Sequence, residues 1–456
     1  AFLAAAPEMV AYFEDTTTLQ FDGGLTIPDT YGDQPGAGTG GRSVIAKPFD
    51  GRKLGDAIRL LRKPLRETRF LGMTIQAGPD LRAFMTMTRS ASAFAHATRR
   101  VVRHLRDLAF HGRGMDLRNG NALVARLLRS ALDLPVTFRT QVEVSGLTRE
   151  GDRVTGVTLG AGEILTAKRG VVLAAGGSKL AASEFHALSV SSATGDGVRL
   201  AKAVGAAMRE TRQPAAFCPV STVRWPDGRV AHFPHIIDRG KPGVIGVLAS
   251  GKRFCNEGLG YHDYVEALPE ADGGPAHSWL VCDHRFLRRY GLGIVRPQPL
   301  PWRPWKRRGY LKTGKSIPDL ARACGIDPNG LTQTVEDWNR HAATGDDPAF
   351  GRGTTAYMRL QGDPDQSPNP CVAPITKAPF FAVKVQPGYF GTFAGLATDG
   401  QARVLDADGA AIAGLYAAGT DSASVFGGFY PAGGINLGPA LTFGFIAGRH
   451  AAGRAP

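Results

Sequence analysis

The chain has 456 residues, 43% of them hydrophobic and 21% charged. That ordinary globular composition excludes long disorder and leaves room for two or three domains of the usual ~100–200 residues. The formal charge is +14, from 54 basic and 40 acidic side chains. The basic residues are dispersed and no nucleic-acid motif accompanies them, which excludes a nucleic-acid partner and leaves an acidic ligand or a membrane surface.

In chain order, residues 1–15 (AFLAAAPEMVAYFED) read as an amphipathic helix, residues 22–50 as a Gly/Pro-rich loop, and residues 53–112 as mainly helical. Another helix is expected over 116–133, after Asn119-Gly120. The period then changes to two. Gln141–Leu147, Val154–Leu159 and Ile164–Ala167 read as a small antiparallel meander with a turn at Arg149–Asp152. The run Gly170-Val-Val-Leu-Ala-Ala-Gly-Gly177 is short, apolar and closed by glycines, as a buried parallel strand would be. Thr194-Gly195-Asp196-Gly197 opens a helix over Val198–Ala207.

Residues 210–385 are rich in Pro, Trp and Arg and break the α/β rhythm, so they read as an α+β domain, with helices over 319–343 around a loop at Gly325–Pro328. Residues 401–418 return to strand–turn–strand, and Leu437–Ala452 forms the last helix. The expected division is therefore a first α/β part, 1–209 (with a helical excursion over 1–113), an inserted substrate domain, 210–385, and a second α/β part, 386–456.

Five scattered cysteines without a CxxC pair argue against a disulfide scaffold or a zinc site, and no metal site is expected. No run of about 18 apolar residues is present and no basic stretch precedes an apolar one at the N-terminus. A cytoplasmic location is expected. Peripheral membrane contact stays open, although no amphipathic anchor stands out. The densest basic cluster, Arg303, Lys306, Arg307 and Arg308, is interleaved with Trp302 and Trp305 and reads as a solvated surface.

Glycine is the outlier: 59 residues, nearly twice the usual ~7%. Three clusters, Gly176-Gly177, Gly419 and Gly433-Gly434, fall at expected strand ends or before a helix. Free N–H groups and the helix dipole converge at such places and bind phosphates and other anions.

Residues 402–452 (ARVLDADGAAIAGLYAAGTDSASVFGGFYPAGGINLGPALTFGFIAGRHAA) closely resemble the C-terminal signature of the 3-ketosteroid Δ1-dehydrogenases, in the fumarate reductase/succinate dehydrogenase flavoprotein superfamily. GKRFCNEGLGYHDYVEAL (251–268), LTQTVEDWNRHAATGDDPAFGRG (331–353), TGDGVRLAKAVGAA (194–207) and RGVVLAAGG (169–177) extend the resemblance over nearly the whole chain. It implies a Rossmann-like FAD-binding domain with an inserted α+β catalytic domain. By the same resemblance, Gly419, Thr420 and Asp421 meet the ribityl–pyrophosphate region and Asn436, Leu437 and Gly438 meet the isoalloxazine edge. Val142 would lie against adenine, with a plain core strand residue as its alternative. Ala175, Gly176 and Gly177 close the dinucleotide side, and Gly195 and Asp196 join the cofactor set. One departure is clear. The family begins with a βαβ unit carrying GxGxxG, whereas GAGTGG (36–41) lacks the flanking strand and helix. The expectation is a chain truncated before that unit, or one that needs a companion segment to supply it.

The resemblance also implies 1,2-desaturation of a small, apolar 3-ketosteroid-like ketone. A base removes an α-proton and a hydride goes to flavin N5. Tyr261 stands at the family's base position, with Tyr264 as the substitute if the register shifts, and Tyr31 as the assisting tyrosine. Tyr430 and Gly434 match the Tyr-x-x-x-Gly pair that would bind the ketone oxygen through O–H and N–H. Tyr261-His262-Asp263 lacks the arginine that fumarate reductases use on dicarboxylates. Asp263 reads as a helix-start cap, Arg253 and Glu257 as a local structural ion pair, and Cys218 and Cys255 as buried small residues. The electron acceptor implied is quinone-like. Two alternatives remain: a relative acting on another enone or ketone, or on the steroid Δ4 bond, and a truncated, flavin-free binding or relic protein.

Overall fold

The computed structural model describes residues 1–180, 184–271 and 274–454. Two compact units are built from interleaved segments. The first comprises Ala1–Thr16, Val136–Cys218 and Gly388–Pro456, the second Thr17–Pro135 and Pro219–Pro387. Residues 17–135 thus fall with the expected substrate domain and not with the first α/β part. The reason is in their partners. Glu67 accepts from Trp225 Nε1 and Arg229, Arg66 pairs with Asp227 at 2.8 Å, and Arg296 donates to the carbonyls of Glu67 and Arg69.

In the first unit the antiparallel meander forms, with its first strand shifted three residues later than expected. Val144–Glu150, Arg153–Leu159 and Ile164–Thr166 are antiparallel neighbours. Ala411–Ala417 then runs parallel to both Arg153–Leu159 and Val171–Leu173, and antiparallel to Arg403–Leu405. Val171–Leu173 is less covered than its apolar run suggested: Leu173 is buried but Val172 is exposed. The core gathers Val154, Leu173, Leu396, Val404, Leu415 and Ala417. The helix after Thr194 spans Asp196–Lys202, ending earlier than expected.

The helices Phe2–Thr16 and Leu437–Ala451 lie in this same unit and pack through Ala5, Phe443, Ile446 and Ala447. The Tyr12 and Phe445 rings, 5.2 Å apart, and an Arg449–Glu8 ion pair extend the contact.

The second unit centres on a sheet in the order Val230–Pro234, Ala215–Arg224, Phe380–Thr392, Ser278–Cys282, Val244–Val247, with Leu311–Gly314 also paired to Phe380–Thr392. The chain passes between units within Ala215–Arg224 and Phe380–Thr392. Every residue of Val244–Val247 and Ser278–Cys282 is buried. One face packs against the helices Ile317–Cys324 and Pro328–Ala342 through Leu320, Leu331, Val335 and Trp338. The other packs on Phe286, Leu287, Leu292 and Tyr310. The side chains of Ser316 and Asp327 cap the two helices, each has a proline in its first turn, and the second starts at Pro328, inside the expected loop.

Next to this sheet lies a buried ionic network. Glu257, fully buried, accepts from Arg253 through both carboxylate oxygens at 2.9 and 2.7 Å, from the Gly246 N–H at 2.8 Å, and faces Arg352 at 3.4 Å. Arg253 also meets Asp347 at 2.7 and 2.9 Å. Arg352 donates to the carbonyls of Val244, Arg239 and Lys241. The local Arg253–Glu257 pair is therefore one part of a larger network. Burial pushes the Glu257 and Asp347 carboxyls up, but Arg253, with Arg352, holds both below their usual range.

Two outcomes follow. Arg352→Met leaves buried Glu257 short of a partner and costs about 3–5 kcal/mol in urea unfolding; a loss under about 1 kcal/mol contradicts the assignment. Because the two carboxyls are held low, their contribution is complete above the ordinary carboxylate values near ~4 and is lost as pH falls through the native ones.

Candidate active site

In the second unit, Tyr261 begins the helix Tyr261–Glu266 and is itself buried. The segment before it is fixed from one side by Arg239, which is fully buried. Its guanidinium donates to the carbonyls of Glu257 at 2.8 Å and Leu259 at 3.4 Å, and its Nε to His235 O at 2.8 Å. Asn256 holds the same segment by donating to Phe350 O and accepting from Gly258 N–H.

Asp263 does not cap this helix. The N-cap position is Gly260 and no side chain caps it, because the Asp263 carboxylate points elsewhere: Oδ1 accepts from the Tyr31 hydroxyl at 3.0 Å. Among the described residues its Oδ2 is buried without a partner. Burial pushes the Asp263 carboxyl above its usual value, opposed by the Tyr31 hydrogen bond and reinforced by Glu266. Tyr31 is thus bonded to Asp263, which lies two residues after Tyr261 in the sequence. Tyr357 adds a further phenol, bonded to Thr30 and Gln361 and raised in pKa by burial.

Tyr264 is unsuited to the base role. It is fully buried, hydrogen-bonds Ser278 Oγ at 2.8 Å, and burial holds its phenol well above the ordinary value. Behind the segment runs a second polar chain. Asp238 meets His235 at 2.7 Å, His235 meets Ser221 at 2.8 Å, and Ser221 meets Tyr310 at 2.6 Å. Despite its Asp–His–Ser order this chain is closed: Ser221 is buried and its oxygen already engages Tyr310. Its connection to the site is the His235 carbonyl that receives Arg239. Cys218 and Cys255 are buried and in no disulfide, as expected, and burial raises the Cys255 thiol well above its ordinary value.

In the first unit the turn after Val171–Leu173 and the turn after Ala411–Ala417 meet at Asp421. Asp421 is fully buried, with Oδ1 accepting from Gly177 N–H at 2.9 Å and Oδ2 from Ala175 N–H. A Cβ on Gly197 would stand 2.5 Å from Asp421 Oδ2, and one on Gly177 2.6 Å from the Thr420 carbonyl. Glycine at both positions leaves room for the carboxylate and the close backbone. The structure therefore gives these amides and Asp421 to one another. Burial raises the Asp421 carboxyl and the Ala175 and Gly177 amides oppose it. Gly195 N–H donates to Gly177 O at 3.1 Å, and Asp196 lies at the surface with Arg199. Gly176 has φ +96°. Val142 is 39% exposed and precedes the strand, so it is not a core strand residue.

Gly419–Asp421 forms a single 3₁₀ turn after Ala411–Ala417. Tyr430 is buried, its ring 6.4 Å from Phe393. Gly433 and Gly434 are exposed, Gly434 has φ +92°, and nothing lies within 4 Å of where their Cβ atoms would be. Asn436, Leu437 and Gly438 follow at the start of the Leu437–Ala451 helix, which has no side-chain cap. Exposed Val425, Phe429 and Leu437 lie in the same stretch.

The family assignment follows from comparison of the sequence as a whole. The model of the FAD binding domain family matches residues 1–437. The chain belongs to that family. It is 37% identical over 470 residues to the 4-oxocyclohex-2-ene-1-carboxylate 5-dehydrogenase of Sinomonas cyclohexanicum, covering 99% of this chain and 80% of the relative. It is 32% identical over 491 residues to the 3-oxosteroid 1-dehydrogenase of Mycobacterium tuberculosis, covering 100% and 84%. The fold matches the crystal structure of 3-ketosteroid Δ1-dehydrogenase from Sterolibacterium denitrificans in complex with 1,4-androstadiene-3,17-dione, with a TM-score of 0.88 and 34% identity over 99% of this chain and 84% of that one. The chain is an oxidoreductase of this flavoprotein family.

The residues present suit FAD. An uncapped helix start fronted by bare glycine backbone and bordered by exposed apolar side chains offers dipole and donors to the electronegative edge of a flat ring. Residues 36–41, the imitation of GxGxxG, form a loop between the antiparallel strands Phe21–Gly23 and Val44–Ala46, and so take no part in a strand–turn–helix motif.

The raised Asp263 carboxyl gives a signed expectation. The advantage of its protonated form is complete below the ordinary value of about 3.9 and is lost as pH rises through the native one. The stability of wild type minus that of Asp263→Asn should fall as pH rises from about 4 and then level off in denaturant melts. A difference that rises with pH contradicts the reading.

Proposed function

We propose that the chain removes two hydrogens from adjacent carbons of a cyclic ketone, as a 1,2-desaturation of a flat, apolar 3-ketosteroid-like substrate. FAD, when bound, supplies the hydride acceptor. Tyr430 O–H and Gly434 N–H hold the ketone oxygen and stabilise the negative charge that grows there as the α-proton leaves. Glycine at 434 keeps the backbone open to that oxygen. Tyr261 removes the α-proton. Tyr31 assists as a relay: it takes up the proton that Tyr261 has removed as its own O–H proton moves along the hydrogen bond to Asp263 Oδ1, and Asp263, with its raised proton affinity, is suited to hold it. Asn436, Leu437 and Gly438 hold the flavin ring edge, and Gly419 and Thr420 its ribityl–pyrophosphate side. A quinone-type acceptor completes the turnover.

The observation that carries this reading is the Tyr31–Asp263 bond at 3.0 Å beside Tyr261, on a segment held by Arg239 and the Glu257 network. It joins the expected assisting tyrosine to Asp263, a carboxyl with raised proton affinity two residues after Tyr261. A second reading, a monocyclic oxo-carboxylate substrate, is favoured by the higher identity to the Sinomonas relative, 37% against 32%.

The flavin absorbance band of the purified chain, bleached anaerobically by a panel of cyclic ketones, separates these. Bleaching by a 3-ketosteroid supports the first reading, bleaching by 4-oxocyclohexene carboxylate alone supports the second, and a chain that takes up no flavin overturns both. In the flavin-loaded chain, Tyr261→Phe should lower kcat by roughly 10²–10⁴-fold and Tyr430→Phe by about 10²–10³-fold. Wild-type turnover in both variants refutes the assignment.

A further inference from the structure

The helix Ala91–His111 is folded with its polarity reversed. Its buried side carries Ala93, Ala97, Arg100, His104 and Asp107. Its exposed side carries Phe94, Val102, Leu105, Leu108 and Phe110, between 41% and 76% exposed. The inner residues explain the rotation. Arg100 is bound by Asp80, by Asp116 at 3.2 Å and by the Thr74 carbonyl at 3.0 Å, while Asp107 pairs with Arg52 and accepts from Met115 N–H at 3.0 Å. Turning the helix to bury its apolar side would break all of these.

The outer side is ordered. Phe94, Thr98, Val102, Leu105 and Ala109 recur at helical spacing and form one stripe roughly 22 Å long. Arg99, Arg103 and Arg106 form the row beside it. All three arginines are exposed and none makes an ion pair among the described residues. The one acidic residue of the helix, Asp107, faces inward. Leu71, 62% exposed, lines the same small cavity as Leu108 and widens the apolar surface. A surface with five large apolar side chains, three unpaired cations and no acid is unfavourable in water.

We infer that this helix docks the protein onto an anionic membrane surface. The apolar stripe enters the boundary between headgroups and acyl chains, and Arg99, Arg103 and Arg106 bind the lipid phosphates. Charge complementarity selects this occupant. A second copy meeting the same face would set arginines against arginines, whereas an anionic bilayer supplies apolar depth and negative charge together. Length and composition also match interfacial helices, which run to 20–30 residues with basic residues on the polar side. No helix among the described residues is long and apolar enough to cross a membrane, so the contact is peripheral.

The test is co-sedimentation of the full chain with vesicles of phosphatidylcholine alone or with about one-third phosphatidylglycerol. The expected result is binding at least about tenfold stronger to the anionic vesicles and released by high salt. Joint replacement of Arg99, Arg103 and Arg106 by Gln should weaken it roughly a hundredfold. Leu105→Glu should abolish it with unchanged circular dichroism. All four positions are exposed, so the fold survives the changes. Equal binding to both vesicles, no binding to either, unchanged binding by the triple variant, or a dimer in solution that Leu105→Glu separates would each overturn the inference.

Discussion

The segment that carries Tyr261 is held by Arg239 bonding to its backbone carbonyls, and Arg352 bonds the Arg239 carbonyl from a network in which Arg253 and Arg352 are buried together with Glu257 and Asp347. A charge in a protein interior is costly unless paired and hydrogen-bonded. Here Arg253 spans two carboxylates, and Arg352 spends its guanidinium on three carbonyls and Glu257. Arg239 adds contacts to the carbonyls of Glu257 and Leu259. An apolar core of similar volume could be as stable. What these guanidinium groups supply is direction: each carbonyl has one place to point, and the helix at Tyr261 starts from a defined backbone.

The first unit uses the same device with the signs reversed. Asp421 is a buried carboxylate that fastens the turn at Ala175–Gly177 from the loop after Ala411–Ala417. That ties Val171–Leu173 to the loop leading toward Tyr430 and Gly434. The donors of one glycine turn are thereby used internally, while the uncapped start of Leu437–Ala451 stays available. In this mixed sheet Ala411–Ala417 runs parallel to Val171–Leu173, so the loops that follow the two strands leave from the same end and the carboxylate of one can brace the amides of the other.

Much of this was legible in the amino-acid order. The meander, the strand at Val171–Leu173, the paired helices after Ser316 and Asp327 and the last helix all carry strong local signals: period-two alternation, caps, prolines and glycines. Tyr261, Tyr430 and Gly434 are proposed from the motifs that carry them. Three features were not legible. The placement of residues 17–135 depends on contacts such as Glu67 with Trp225, which no local pattern encodes. The partner of Asp263 lies 232 residues away, at Tyr31, so a carboxyl at a helix start read as a cap. Arg239 sits in a loop sequence with no motif. The reversed helix was hidden for a related reason: Arg100, His104 and Asp107 look like a solvent face until their distant partners are known.

The most direct test of the central claim is α-proton exchange in heavy water, followed by NMR on a cyclic ketone bound to the flavin-loaded chain. A pinned Tyr261 acting as base predicts exchange at the α-carbon by wild type and loss of that exchange in Tyr261→Phe, with the fold and flavin content unchanged. Equal exchange in the two proteins would contradict it.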